Sequence, residues 1–206
     1  MQLQSFQAIV LRTTPYREAD IIGTLVSDSA GLVNFIARHA KRSSKRLGGG
    51  IEALDCATFE CAEPKKSDGL FEVLSVSNRI IWHGLHHSPA IFCSACLLAE
   101  LGTLFCKTHE DSKAFYHLLK ENIDHLNTSH SRDEIREVLI SGVVAILRIA
   151  GLNPAHNALL AQKVNNRSEL SKAESVTLAR ELLNYIESYT GHPLRTRESL
   201  NSFLLR

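Results

Sequence analysis

The 206 residues predict an α+β fold, a small five-stranded antiparallel β-barrel followed by an all-α helical domain. Two observations predict it. Up to Trp82 the chain runs in short β-branched and aromatic stretches separated by turn residues at intervals of about ten positions, the pattern of a small barrel or sandwich. After Ser88-Pro89 the apolar period lengthens from two to about 3.6, the repeat of a helix that buries one face.

The strands are expected at Phe6–Arg12, Ala19–Ser27, Leu32–Ala37, Ile51–Ala62 and Leu70–Trp82. Their breaks fall at Thr14-Pro15-Tyr16, Ser29-Ala30-Gly31, Gly48-Gly49-Gly50 and Lys65-Lys66-Ser67-Asp68-Gly69. Five strands in roughly eighty residues suit an oligonucleotide-binding (OB) barrel, which closes its sheet and leaves no edge to pair with another chain. Residues 1–82 are therefore read as the barrel and 83–206 as the helical domain.

In the helical part, Cys93, Leu97, Leu101, Leu104 and Phe105 mark one apolar face. Phe115, Leu118, Leu119 and Ile123 mark a second helix, capped by Asp111 or Ser112. A third runs from about Arg132 to Ile149 with Ile135, Leu139, Val143 and Ile146 as its core stripe, and Gly151, Asn153 and Pro154 stop it. A fourth, Lys172 to Tyr189, buries Val176, Ala179, Leu182, Leu183 and Ile186 and ends at Gly191. A tail helix from Arg197 to Leu205 packs through Leu200, Phe203 and Leu204.

Composition is that of an ordinary globular chain, 44% hydrophobic and 22% charged, outside the region where chains stay disordered. No apolar run reaches the roughly 20 residues of a membrane-spanning helix, and the first residues do not read as an export signal, so a cytoplasmic protein without membrane contact is expected. The odd count of five cysteines then reads as reduced thiols. The net charge is only +1, which excludes a uniformly basic coat. Residues 1–50, however, hold seven of the cations (Arg12, Arg17, Arg38, Lys41, Arg42, Lys45 and Arg46) against Glu18, Asp20 and Asp28. The excess positive charge thus sits near the N-terminus, where a barrel presents it as a patch.

The segment Arg38-His39-Ala40-Lys41-Arg42-Ser43-Ser44-Lys45-Arg46-Leu47-Gly48-Gly49-Gly50 carries this charge into three glycines directly after a strand. Clustered cations on a barrel loop neutralise phosphates and release condensed counterions, and serine hydroxyls donate to phosphate oxygens. A solvated surface loop is the bland alternative; the adjacent scaffold and the lack of a balancing acidic run weigh against it. Arg12, Tyr16, Arg17, Arg38, Lys41, Arg42, Ser43, Lys45 and Arg46 are the nucleic-acid-binding candidates. Tyr16, in a turn beside Arg17, either stacks on a base or packs on the next strand. Of the other aromatics, Phe6, Phe35, Phe59, Phe71 and Trp82 are read as mostly inward barrel core.

Catalytic constellations are not found. Gly48-Gly49-Gly50 lacks the Gly-x-x-x-x-Gly-Lys-Ser/Thr spacing that cups a nucleotide, and no framed nucleophile or carboxylate pair occurs, so no enzyme and no cofactor are expected. Cys93-Ser94-Ala95-Cys96 has no second pair to complete four ligands and lies in an apolar helical run. His83, His86 and His87 read as a polar seam, and no metal is expected.

The stretch Ala8-Ile9-Val10-Leu11-Arg12-Thr13-Thr14-Pro15-Tyr16-Arg17-Glu18-Ala19-Asp20-Ile21-Ile22, the turn Asp28-Ser29-Ala30-Gly31-Leu32, and the basic segment ending in its glycines and Ile51-Glu52-Ala53-Leu54 together resemble the N-terminus of the RecO family of recombination mediators. The ending Gly191-His192-Pro193-Leu194-Arg195-Thr196-Arg197 is similar to the family's closing Gly-x-Pro-Leu-x-Ser-Arg segment. The resemblance implies an OB barrel with a helical domain, binding of single- and double-stranded DNA, annealing of complementary strands and loading of recombinase onto coated single strands. It also implies two partners, a RecR-like protein and the C-terminal tail of single-stranded-DNA-binding protein; Lys113 with Arg132 and Arg136, four apart on one helix face, read as a basic surface edge for the tail, with a solvated ion-paired surface as the alternative. Many members carry two Cys-x-x-Cys pairs after the third helix; Gly151 to Val164 holds no cysteine here. An RNA-binding OB protein and a purely protein-binding adaptor are the alternative readings.

Overall fold

In the computed structural model, which describes all residues except 1, 41–46, 48, 65–68, 107–108, 153–157 and 167–169, the strands are β1 (Leu3–Tyr16), β2 (Asp20–Ser27), β3 (Leu32–Ala37), β4 (Cys56–Ala62) and β5 (Phe71–Ile80). They close into a barrel in the order β1-β2-β3-β5-β4. All pairs are antiparallel except β3 with β5, which run parallel. The five-stranded OB barrel expected from the alternation is present, and so is the change to helices after it.

Its interior is filled by the inward residues of every strand, among them Phe6, Val10, Leu25, Val33, Phe35, Phe59, Cys61 and Val73. β1 is long enough to pair on both sides, with β4 from Leu3 to Ile9 and with β2 from Ala8 to Tyr16. A bulge at Leu11 separates the pairs Val10–Leu25 and Arg12–Thr24, so that Val10 and Leu11 are both buried while Arg12 comes to the outer face. Gly23, opposite Thr13, is required by a close approach, since a Cβ there would lie 2.4 Å from the Arg12 carbonyl oxygen and 2.7 Å from the Phe35 ring.

Three boundaries differ from the sequence reading. Thr14-Pro15-Tyr16 is strand, not turn, and the chain reverses at Arg17 with φ 51°. Pro15 is tolerated because this end of β1 pairs only with β2, so its missing N–H interrupts no second ladder. β4 begins at Cys56 rather than Ile51. The residues between belong to a turn that bonds back to β1, with Val10 N–H donating to the Asp55 carbonyl and Leu54 N–H to the Val10 carbonyl. Trp82 lies beyond β5 and is not barrel core; its indole Nε1 donates to Asp124 Oδ1 at 2.7 Å.

Seven helices follow among the described residues: α1 (Gly84–His87), α2 (Pro89–Phe105), α3 (His109–Thr128), α4 (Arg132–Ile149), α5 (Ala158–Asn165), α6 (Lys172–Thr190) and α7 (Arg197–Phe203). The chain divides into two compact units, residues 1–81 with 106–117, and residues 82–105 with 118–206. The first unit therefore includes the start of α3, where the Tyr116 hydroxyl meets the Gln7 side chain at 3.3 Å.

Within the second unit the helix starts are set by side chains. Ser131 accepts from Glu134 N–H at α4, and Ser171 with Glu174 forms a reciprocal capping box at α6. Gly191 closes α6 in the left-handed region. The closing segment docks on α2, where the Glu100 carboxylate accepts from the N–H groups of Arg195 and Thr196 and from the Thr196 hydroxyl. α3 starts at His109, so Asp111 and Ser112 lie inside its first turn and not at the cap. Leu104 is partly exposed rather than core, and α5 had no counterpart in the apolar periodicity.

Candidate nucleic-acid interface

The basic segment leaves β3 and re-enters the barrel within ten residues. Ala40 is 1% exposed and Leu47 0%, and both belong to the barrel core. Lys41, Arg42, Ser43, Lys45 and Arg46 lie outside the described residues. The residues that flank them, Ala40 and Leu47, both have their side chains in the barrel core.

Each stem is held by a second set of bonds. On the entry side the carboxylate of Asp20, at the start of β2, accepts from His39 N–H at 2.9 Å. This fixes His39 at φ 56°, a conformation most non-glycine residues avoid. Next to it Arg38 Nε meets Glu72 of β5 at 3.3 Å. On the exit side Arg79 of β5 uses its whole guanidinium. Nη2 donates to the carbonyls of Leu47 at 3.1 Å and Gly50 at 2.9 Å, and Nη1 pairs with Asp55 Oδ2 at 2.5 Å. Asp55 in turn accepts from Glu52 N–H at 2.8 Å.

Arg12 lies exposed on the outside of β1, its Nε donating to Thr24 Oγ1 of β2 at 3.1 Å. At the β1–β2 turn Tyr16 is 40% exposed with the Arg17 guanidinium 5.2 Å from its ring centroid, a cation–π pair that keeps ring and charge together at the surface. Of the two readings of Tyr16, packing against the next strand does not fit this exposure.

Arg38 has a carboxylate partner in Glu72. The pair is half exposed, and such surface pairs are worth about 0–1 kcal/mol, too little to hold the guanidinium back from a phosphate. Arg12, Tyr16, Arg17 and Arg38 all belong to the barrel unit.

The partner-binding candidates are arranged differently. Lys113 is exposed near the start of α3, in the barrel unit. Arg132 is exposed at the first residue of α4, but Arg136, one turn on, is 1% exposed. This corrects the expectation that Arg132 and Arg136 form one surface edge. Arg136 lies in the buried stripe with Ile135 and Leu139, its Nη1 pairing with Asp133 Oδ1 at 2.8 Å and with Ser175 Oγ of α6 at 3.1 Å. Its Nε and Nη2 have no acceptor among the described residues. The guanidinium beside Asp133 holds that carboxyl below its ordinary pKa.

None of the five cysteines is in a disulfide. Burial pushes the thiols of Cys61, Cys96 and Cys106 up to about 12, which keeps them protonated and poor nucleophiles or ligands. Among the described residues no three His, Cys, Asp or Glu side chains gather as a metal site, and no helix is long and apolar enough to cross a membrane.

Sequence reasoning missed Asp20, Arg79, Thr24 and Asn34. Asp20 carried a signal, since it closes the Pro-Tyr-x-Glu-x-Asp run; Arg79 and the polar pair on β2 and β3 carried none.

Residues 1–78 match the family model described as Recombination protein O N terminal. Similar proteins include a DNA repair protein RecO of Anaeromyxobacter, 31% identical over 153 residues that make up 74% of this chain and 58% of the relative. That of Thermosynechococcus vestitus is 24% identical over 71% of this chain and 51% of the relative. That of Koribacter versatilis is 46% identical over a shorter stretch of 52 residues, 25% of this chain and 21% of the relative. The matched part thus spans little more than half the length of the two longer-matching relatives. The closed five-stranded barrel and these likenesses agree: residues 1–78 match the N-terminal domain of the RecO family, and the chain is similar to that family over about three quarters of its length.

Proposed function

We propose that the chain is a DNA repair and recombination mediator that binds single- and double-stranded DNA through its barrel, anneals complementary strands and helps load recombinase onto coated single strands. The relatives are named as DNA repair proteins, and the observation that carries the reading is the closed barrel with Ala40 and Leu47, the residues that flank the basic run in sequence, in its core. Arg12, Arg17, Arg38, Lys41, Arg42, Lys45 and Arg46 hold phosphates, Ser43 adds a hydroxyl donor and Tyr16 offers a ring for a base. Annealing follows from neutralising two strands held close together and requires no bond to be made or broken, so the protein is not read as an enzyme. A RecR-like protein and the acidic tail of single-stranded-DNA-binding protein are the partners. Arg132 is the exposed cation of the helical unit for the tail, and Lys113 a separate candidate on the barrel unit.

Titration of labelled single-stranded DNA at several salt concentrations tests this. If Lys41, Arg42, Lys45 and Arg46 each cover one phosphate, the log–log salt slope is about −2.8, from roughly −0.7 per phosphate. Changing all four to alanine is expected to flatten it. A folded variant with unchanged affinity and slope overturns the assignment of this segment, and tighter binding of a matched RNA oligonucleotide overturns the choice of DNA.

A further inference from the structure

Three side chains form a row across the outside of the barrel, one from each of three neighbouring strands. Arg12 of β1 pairs in register with Thr24 of β2, and Thr24 with Asn34 of β3. Arg12 Nε and Thr24 Oγ1 are 3.1 Å apart, and Thr24 Oγ1 and Asn34 Oδ1 2.9 Å. Thr24 is 3% exposed, whereas Arg12 and Asn34 are exposed on either side of it.

The chemistry of the groups fixes every proton in this row. An arginine Nε only donates, so the Thr24 hydroxyl must accept there. Its single hydrogen is then directed to Asn34, which must offer its amide oxygen. With Oδ1 committed inward, Asn34 is left with Nδ2, and Arg12 with its two Nη groups; none of these has a partner among the described residues. The nitrogens of the row that remain without a partner among the described residues are all donors, across strands spaced about 4.8 Å apart and so spanning about 10 Å from first to third. A donor-rich, partly cationic row of that width matches the successive acceptor oxygens of a nucleic-acid strand laid across β1 to β3.

We propose that Arg12 and Asn34 contact such a strand, Arg12 at a phosphate and Asn34 Nδ2 at a neighbouring acceptor oxygen, and that Thr24 is the positioning residue that orients both. This rests on the reading of the barrel as a DNA-binding module. It adds a second contact surface, distinct from the basic segment, in which hydrogen-bond polarity and not charge alone selects the ligand. An unoriented arginine would hold a phosphate as a point charge; the Thr24 bond fixes the fork of the guanidinium, which is what a two-point contact to a phosphate needs.

The experiment is fluorescence anisotropy of labelled oligothymidylate with the full chain and four variants, each checked by thermal melting. Thr24→Val keeps the side-chain shape and removes the relay, and binding is expected to weaken roughly three- to tenfold, the worth of one oriented hydrogen bond. Thr24→Ser restores the hydroxyl and is expected to bind like wild type. Adding Thr24→Val to Arg12→Ala is expected to cost less than Thr24→Val costs in the wild type, because part of what the hydroxyl does passes through that guanidinium. Asn34→Ala, which leaves the barrel interior untouched, is expected to lose about threefold and reads out the row even if Thr24→Val does not fold. Full additivity of the Arg12 and Thr24 changes, or wild-type affinity in folded Thr24→Val or in Asn34→Ala, overturns the proposal while the wild type still binds. Failure of the wild-type chain itself to bind at low salt overturns this proposal and the DNA-binding reading together.

Discussion

At the scale of single residues, the barrel face depends on side chains whose work is to hold backbone. Arg79 satisfies two carbonyls and a carboxylate at once, so it ties the glycine turn to β5. Arg79→Met removes these bonds at a partly exposed site and is expected to cost about 1–3 kcal/mol, read as a lowered melting temperature, with weaker DNA binding because the stem of the basic segment is released. An Arg79→Met variant that melts and binds as wild type would show that Leu47 alone anchors the stem. Arg136 makes the opposite case. It is buried with two N–H groups unsatisfied among the described residues, each at a cost of about 1–3 kcal/mol, and its carboxylate partner Asp133 lies at the surface. Arg136→Met is therefore expected to keep or raise the melting temperature. A large drop would mean that the guanidinium is the better filling for that site.

At the scale of elements, the helix starts give the second unit its pH dependence. The carboxyls of Glu134 and Glu174 are held below the ordinary range, Glu134 chiefly by the His130 backbone N–H and Glu174 chiefly by the Ser171 hydroxyl. A carboxyl whose folded pKa is lowered adds stability that is full above the unfolded pKa and lost as pH falls through the folded one. Helical circular dichroism is thus expected to be flat from neutral pH down to the ordinary carboxylate range and to fall in more acid solution. The double variant Glu134→Gln, Glu174→Gln is expected to be less stable at pH 7 and less sensitive to acid, and an unchanged acid transition would remove these two caps from the account. The strands follow a different logic. Alternation placed Phe6, Phe35 and Phe59 in the barrel core correctly and Trp82 wrongly, whereas Thr14-Pro15-Tyr16 read as a turn because proline is excluded from central strands. It is strand because that end of β1 has a neighbour on one side only, a circumstance local sequence does not encode.

At the scale of the whole molecule, a net charge of +1 conceals an N-terminal excess large enough to act as a patch. Four phosphates neutralised by the basic segment imply an affinity loss of about fiftyfold between 50 and 200 mM salt, measured by the same titration; a loss of only a few-fold would mean that binding is not carried by ion release. The sequence by itself determined the class of the fold and the ends of α4 and α6, because periodicity and capping chemistry act over a few neighbouring residues. Tertiary structure alone decided that Arg136 is buried while Arg132 is not, that Arg79 and Asp20 hold the two stems of the basic segment, and that Arg12, Thr24 and Asn34 line up across three strands. Those outcomes depend on strand register and helix packing, which bring together residues from ten to more than thirty positions apart, and no local pattern carries that information.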